Sequence, residues 1–308
     1  MSVPKENVEH KSVAQNLPFA IEVQDVSAII GRFFLTDISF KVPRGTICGL
    51  VGKNSAGKTV LLQTLVNQLK MKEGTISILG MDVHEQFEQV KAEIGVVWSD
   101  LHVPVRMTAR KLNKLYDSVY DSWDEDYFIS FLREFNVPLD EKVKTLSKGT
   151  LMKLNIALAL SHHPRVLILD EPTSGIDPFD RDEIISVFAR YMEDENNTII
   201  ISSHIISDLE KIADSILYIE NGQILFHKQK DDIFSDYLIW KGTEDEMKEL
   251  HDFAIVSQLP SVFGRKVLVD KHKLLKAGAF ERYAGLDAPT LEEFLLFMQV
   301  REVHSEME

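Results

Sequence analysis

Eight residues, Gly52-Lys53-Asn54-Ser55-Ala56-Gly57-Lys58-Thr59, fit the pattern G-x-x-x-x-G-K-[ST] at every position. The pattern leaves a chain little choice of fold, because it must sit between a buried strand and the first turn of a helix. Both flanks are of the right kind. Ile47-Cys48-Gly49-Leu50-Val51 is a short apolar run that reads as a buried strand. Val60-Leu61-Leu62-Gln63-Thr64-Leu65-Val66 continues with helical patterning. Glycines let backbone N–H groups turn inward onto phosphate oxygens, and the helix start adds the positive end of its dipole. The implied ligand is a triphosphate, with Lys58 reaching its β- and γ-phosphates and the Thr59 hydroxyl binding Mg²⁺. A glycine-rich turn without a ligand is the competing reading, and the strand and helix on either side count against it.

The rest of the chain alternates between strand and helix patterns. Ala20–Val26 and Phe33–Val42 mix β-branched and aromatic residues with polar ones and read as strands at an antiparallel sheet edge. Gly74–Gly80 and Ile94–Trp98 are further short strands, and residues from about 108 to 160 are mostly helical. Arg165-Val166-Leu167-Ile168-Leu169-Asp170-Glu171 is a continuous apolar run ending in two carboxylates, the pattern of a strand buried on both faces. A helix over about 179–194, a strand over Thr198–Ser203, a short helix and a strand pair turning at Asn221-Gly222 follow. This alternation predicts an α/β fold with a mainly parallel sheet covered by helices.

Near Lys230-Asp231-Asp232 the pattern changes. Residues 233–308 hold strand candidates at Tyr237–Lys241, Phe253–Gln258 and Arg265–Val269 and helices near 243–251 and 290–301, without a catalytic motif. The expected domains are therefore 18–230 and a small α+β extension, 231–308. The polar residues 1–17 carry no apolar run that would read as a signal peptide. No stretch approaches the roughly 20 apolar residues of a membrane-spanning helix. The net charge is −14 (34 − 48), which argues against nucleic acid as a main partner, since phosphate backbones need a basic footprint. The one cysteine, Cys48, excludes a disulfide within the chain and reads as a small core residue in a reducing compartment.

Four further segments narrow the chemistry. Asp170 ends its strand 112 residues after Lys58 (170 − 58), where a carboxylate can hold Mg²⁺ directly or through water. Glu171 follows, placed to polarise an attacking water as a general base. Leu146-Ser147-Lys148-Gly149-Thr150 precedes a helical run. Ser147 reads as its N-cap, and the Gly149 backbone can approach an anion closely. Ser174-Gly175-Ile176-Asp177 is a tight loop after the carboxylates, and His204 ends the next strand, beside the expected γ-phosphate.

Together these residues resemble the nucleotide-binding subunit of ATP-binding cassette (ABC) transporters over about residues 20–230. Gly52–Thr59 resembles that family's Walker A loop, Asp170 and Glu171 its Walker B pair, and Ser174–Asp177 its D-loop. Leu146–Thr150 is a variant of its signature motif, and His204 resembles its switch histidine. The motif order is most similar to ABC-2-type exporters of the antibiotic-resistance and YtrB-like groups. The resemblance implies a RecA-like P-loop NTPase with an antiparallel β subdomain and a helical subdomain. It also implies ATP and Mg²⁺ as ligands, with Thr59 and Asp170 at the metal. Lys58, Glu171 and His204 would act in catalysis, while Ser147 and Gly149 would cover the nucleotide of a second ATPase subunit. A separate integral membrane permease would hold the chain on the inner, cytoplasmic face of the membrane.

Two positions depart from the family's pattern. The glutamine expected after Trp98 is replaced by Ser99-Asp100, either of which could take over its contact. The adenine-stacking aromatic is replaced by Ile30, leaving Phe33 or Phe34 as substitutes. The alternatives are a soluble ABC-type ATPase and a regulatory ATP-binding module not coupled to transport.

Overall fold

Strands covered on both faces bury every side chain, and Ile47–Val51 (β3), Val166–Asp170 (β7) and Thr198–Ser202 (β8) are buried at every position. The computed structural model describes residues 18–99, 103–247, 254–262, 264–276 and 285–305. Among these, β3, β7 and β8 join Ile94–Val97 (β6), Ser215–Glu220 (β9) and Gln223–Gln229 (β10) in a six-stranded sheet of order β10-β9-β3-β8-β7-β6. The β6–β7, β7–β8 and β8–β3 pairs are parallel. Register sets Asp170 beside Ser202 at the carboxyl ends of two adjacent strands.

A second sheet is antiparallel, in the order β2-β1-β4-β5, from Phe19–Ile30 (β1), Phe33–Pro43 (β2), Met71–Ile78 (β4) and Met81–Asp82 (β5). The expected strand start at Gly74 moves back to Met71. Gly74, at φ 91°, lies inside a bulged pairing with β1, where an added Cβ would stand 2.5 Å from the Gln24 and Asp25 carbonyl oxygens. The glycine marks a close backbone approach rather than a strand boundary. Residues of both sheets share one core with Leu61, Leu62 and Leu65 of helix α1 (Lys58–Leu65).

The helical stretch divides into α3 (Ala109–Asp117), α4 (Glu125–Glu134) and α5 (Lys148–Leu160), after α2 (Phe87–Glu93). Their starts are chemically marked, since Thr108, Asp124 and Ser147 each accept a hydrogen bond from a first-turn N–H. α6 (Pro178–Tyr191) begins with Asp177 as N-cap and Pro178 in its first turn.

The chain divides into two compact units, one up to Ile205 with Ile216–His227, the other made of Ile206–Ser215 with the residues from Lys228 on. The helix α7 (Ile206–Ile212) therefore groups with the C-terminal part, whereas the sequence boundary of 230/231 left it with the first. In the second unit, Tyr237–Gly242 (β11), Ile255–Ser261 (β12), Gly264–Asp270 (β13) and Leu286–Asp287 (β14) form an antiparallel sheet of order β12-β13-β11-β14. Its core includes Trp240, Val267, Val269 and Leu274. Two short helices not expected from the sequence, α8 (Lys230–Asp236) and α10 (Lys271–Lys276), belong here, along with α9 (Glu244–Met247). α11 (Leu291–Ser305) packs against α7, α8 and β12. It starts with a capping box, in which Glu293 N–H donates to Thr290 Oγ1 at 3.1 Å and Thr290 N–H to Glu293 Oε2 at 3.3 Å.

Candidate functional site

Between β3 and α1 the backbone turns through Ser55 (φ 64°) and Gly57 (φ 113°), the latter being the N-cap of α1. A side chain at Gly57 would meet the Phe33 ring at 2.8 Å, so the loop and that ring pack closely. The loop is also held from behind. Gly222 N–H donates to the Ala56 carbonyl at 3.0 Å, and the Lys53 ammonium pairs with the Glu220 carboxylate. Lys58 is buried, its Nζ donating to the Gly52 carbonyl at 2.9 Å and the Lys53 carbonyl at 3.4 Å. An ammonium held by backbone carbonyls is positioned, and those contacts can be exchanged for phosphate oxygens.

The ends of β7 and β8 supply the carboxylates. Asp170 is buried, accepting from Thr59 Oγ1 at 2.9 Å through Oδ2 and from Ser202 Oγ at 2.7 Å through Oδ1. Glu171 has φ 52°, and its N–H is shared between the Ser202 carbonyl at 3.1 Å and hydroxyl at 3.0 Å. A left-handed glutamate is an unfavourable conformation that the surrounding bonds must hold in place. Its Oε1 lies 3.6 Å from Lys58 Nζ, while its Oε2 lies 2.5 Å from His204 Nδ1 and accepts from the His204 N–H at 3.2 Å. Lys58, Glu171 and His204 thus form one chain of charge-assisted contacts.

Next to this chain is a cavity of about 380 Å³, lined by Phe33, the segment Asn54–Val60 and Glu171. Phe33 therefore faces the phosphate loop, whereas Phe34 is 53% exposed. Of the two residues offered for the missing glutamine, Ser99 is exposed and does not line the cavity, and Asp100 lies outside the described residues. Ser202 was missed by the sequence reading. Its signal is the parallel register, which only a folded sheet supplies.

Ser147 and Gly149 are not among the residues that line this cavity. Ser147 Oγ accepts from Thr150 N–H at 3.1 Å and shares a 2.8 Å hydrogen bond with the Thr150 hydroxyl, closing the first turn of α5. In the loop after Glu171, Asp177 Oδ1 accepts from the N–H groups of Phe179 and Asp180, both at 3.1 Å. The Asp180 backbone bond, followed by other hydrogen bonds, holds the Asp177 carboxyl below its ordinary pKa against the opposing effect of desolvation. Another cavity, of about 340 Å³, is lined by Trp98, Val103, Tyr116, Tyr120, His162 and neighbours.

Comparison with known proteins gives a consistent picture. The family described as ABC transporter matches residues 35–174. The chain is similar to the ABC transporter ATP-binding protein NatA of Bacillus subtilis (strain 168), 30% identical over 207 residues, covering 64% of this chain and 82% of NatA. It is also similar to the bacitracin transport ATP-binding protein BcrA of Bacillus licheniformis, 32% identical over 210 residues, covering 67% of this chain and 68% of BcrA. A solved structure of an ABC transporter's ATP-binding subunit superposes with a TM-score of 0.65 at 26% identity, covering 70% of this chain and 92% of that one.

Proposed function

The chain belongs to the ABC transporter family as an ATP-binding subunit and ATPase, and from that premise we propose that it closes head to tail with a second such subunit around two Mg²⁺–ATP complexes to drive a separate membrane permease. The second subunit is another copy of this chain or a close relative. The direction we propose is export, which rests on the resemblance of the motifs to those of ABC-2-type exporters. The observation that carries this reading is the position of Glu171, held between Lys58 and His204 beside the phosphate loop.

Each residue's contacts support the part proposed for it. Lys58 trades the Gly52 and Lys53 carbonyls for β- and γ-phosphate oxygens. Backbone N–H groups of Gly52–Thr59 cradle the phosphates, and Phe33 offers a face for the base. Glu171 takes a proton from the water that attacks the γ-phosphorus. The bond from that phosphorus to the bridging oxygen breaks, its electron pair leaves with ADP, and inorganic phosphate forms. His204 holds Glu171 Oε2 through both Nδ1 and its backbone N–H, which fixes the direction of the base.

Thr59 and Asp170 fit the metal, since a hydroxyl and a carboxylate oxygen 2.9 Å apart are hard donors of the kind Mg²⁺ takes. Among the described residues no group of three or more His, Cys, Asp or Glu side chains could hold a metal ion. The fit is therefore to a cation shared with phosphate oxygens and water, the usual manner of Mg²⁺ at nucleotides. Bound there, it would neutralise charge on the phosphoryl group being transferred.

Ser147 and Gly149 would direct the start of α5 at the partner's nucleotide, adding N–H donors and the dipole's positive end. Hydrolysis removes the charge that favours the closed pair, so the pair opens. No helix among the described residues is long and apolar enough to cross a membrane. A net charge of −14 gives no attraction to an anionic lipid surface. We assign the chain to the cytoplasmic face through its permease, which would sit in the groove of Trp98, Val103, Tyr116 and Tyr120.

Cross-linking tests the pairing. Cys48 is fully buried, so engineered cysteines report without background. Asn54→Cys in one copy and Lys148→Cys in another should cross-link in the presence of Mg²⁺–ATP in a Glu171→Gln background. No cross-link at saturating nucleotide overturns the head-to-tail pair.

A further inference from the structure

Lys153 lies on α5 six residues after Ser147 (153 − 147), and only 7% of it is exposed. Burying an ammonium is costly unless it is paired, and this one has two carboxylates from α6. Its Nζ is 2.5 Å from Asp180 Oδ1 and also pairs with Glu183 Oε2. Burial alone would lower the Lys153 pKa, but hydrogen bonds and charge from the two carboxylates outweigh it and raise the value.

Asp180 has a second contact. A Cβ added to Gly149 would stand 1.9 Å from Asp180 Oδ2, so the carboxylate lies directly on the Gly149 backbone. One oxygen of Asp180 is held by Lys153 while the other seats Gly149. Asp180 is itself fixed in the first turn of α6, where its N–H bonds to Asp177. On the other side, Lys148 Nζ stands 2.9 Å from where a Cβ at Gly175 would lie. The segment 147–150 is therefore tied to the loop 174–177 through Asp180, which packs on Gly149 and bonds to Asp177, and the Lys148 side chain lies beside Gly175.

We propose that Lys153 is a positioning residue that, through Asp180, fixes the Gly149 backbone relative to the loop following this chain's own Glu171. This rests on the reading that Gly149 meets a partner's nucleotide. Given that reading, the clamp ties the surface offered to the partner's ATP to the state of the chain's own hydrolytic carboxylate.

The test separates positioning from bulk stability. Lys153→Met should leave ATP affinity within twofold of wild type, because the phosphate loop is on other elements. It should lower kcat about tenfold and weaken ATP-dependent pairing in a Glu171→Gln background, and Lys153→Arg should restore both. Wild-type kcat in Lys153→Met overturns the proposal. So does a parallel loss of ATP affinity, melting temperature and kcat that Arg does not restore. Thermal melting of a double-mutant cycle probes the contact without any activity. Gly149→Ala should lower the melting temperature, and by less than half as much in an Asp180→Ala background. Equal losses in the two backgrounds overturn the clamp. Should the wild-type chain fail to pair with ATP, the pairing reading falls, while the melting cycle still decides whether Asp180 seats Gly149.

Discussion

The two motif regions of the first unit are built in opposite ways. At the phosphate-loop end, Lys58, Thr59, Asp170, Glu171, Ser202 and His204 are all bonded to one another or to nearby backbone within the chain. At the other end, Ser147 and Lys148 are exposed, and what is fixed is the helix start behind them. The first arrangement is preorganised, with its donors and acceptors aimed before any ligand arrives, which is where electrostatic catalysis gains most. In the second, the capped turn is fixed by Ser147 and by Asp180 packed on Gly149, while Ser147 and Lys148 face solvent. The contrast is what a half-site that is completed by another chain would require.

The hardest blow to this comparison would fall at Glu171. Glu171→Gln keeps the shape and the His204 contact but cannot accept the proton. A positioned general base is worth about 10²–10⁴-fold, so phosphate release should drop by at least about 100-fold with ATP binding retained. A drop of less than about fivefold would remove Glu171 from the base position. Lys58→Ala comes next. It takes away the ammonium and leaves Glu171 without its cationic neighbour. Loss of one partner of a buried charged pair costs about 2–5 kcal/mol. Calorimetric titration should show ATP binding weakened by 30-fold or more, and unchanged affinity would mean that the loop does not hold the triphosphate.

A smaller effect sharpens the comparison at the edge of the cavity. Phe33 lines it and Phe34 is exposed. Stacking on an aromatic contributes about 0.5–1.5 kcal/mol beyond area burial. Phe33→Ala should weaken ATP binding by up to about tenfold, while Phe34→Ala leaves it unchanged. The reverse ranking would mean that the base lies elsewhere.

Much of the first unit could be read from the sequence because its signals are local. The phosphate loop, the apolar run ending at Asp170, the N-cap Ser147 and the tight loop Ser174–Asp177 are each written within a few consecutive residues. What could not be read depends on distant segments. Ser202 holds Asp170 and Glu171 only because β7 and β8 pair in parallel register. Phe33 and Phe34 are adjacent in sequence and differ in the direction each side chain takes. Nothing local in the sequence marks Lys153, yet it is buried against carboxylates 27 and 30 residues later (180 − 153 and 183 − 153). α8 and α10 are seven and six residues long, too short for an apolar period to show. The grouping of α7 with the C-terminal unit is likewise a tertiary property, absent from its own sequence.

The smallest expected effect compares two histidines. His204 is half exposed beside Glu171, whereas His162 is 3% exposed, stacked 4.2 Å from Tyr120, with Nε2 3.0 Å from the Ile94 carbonyl oxygen. Burial lowers the His162 pKa below its ordinary 6.5, against the opposing effects of the Ile94 and Leu158 carbonyls and Glu93. The unfolded chain takes up a proton near 6.5 that the folded chain resists, so the unfolded state binds more protons in this window. Stability contributed by His162 is therefore complete above about pH 6.5 and is lost as the pH falls toward the folded value. His227, also lowered by burial, acts in the same sense. Carboxyls held low, such as Asp124 and Glu134, contribute their losses only below about pH 5. Between pH 7.5 and 5.5 the melting temperature should fall, and His162→Gln should reduce that fall by on the order of 2 °C. An identical slope in the variant would show that His162 takes up its proton equally in the folded and unfolded chains, in spite of its burial against Tyr120.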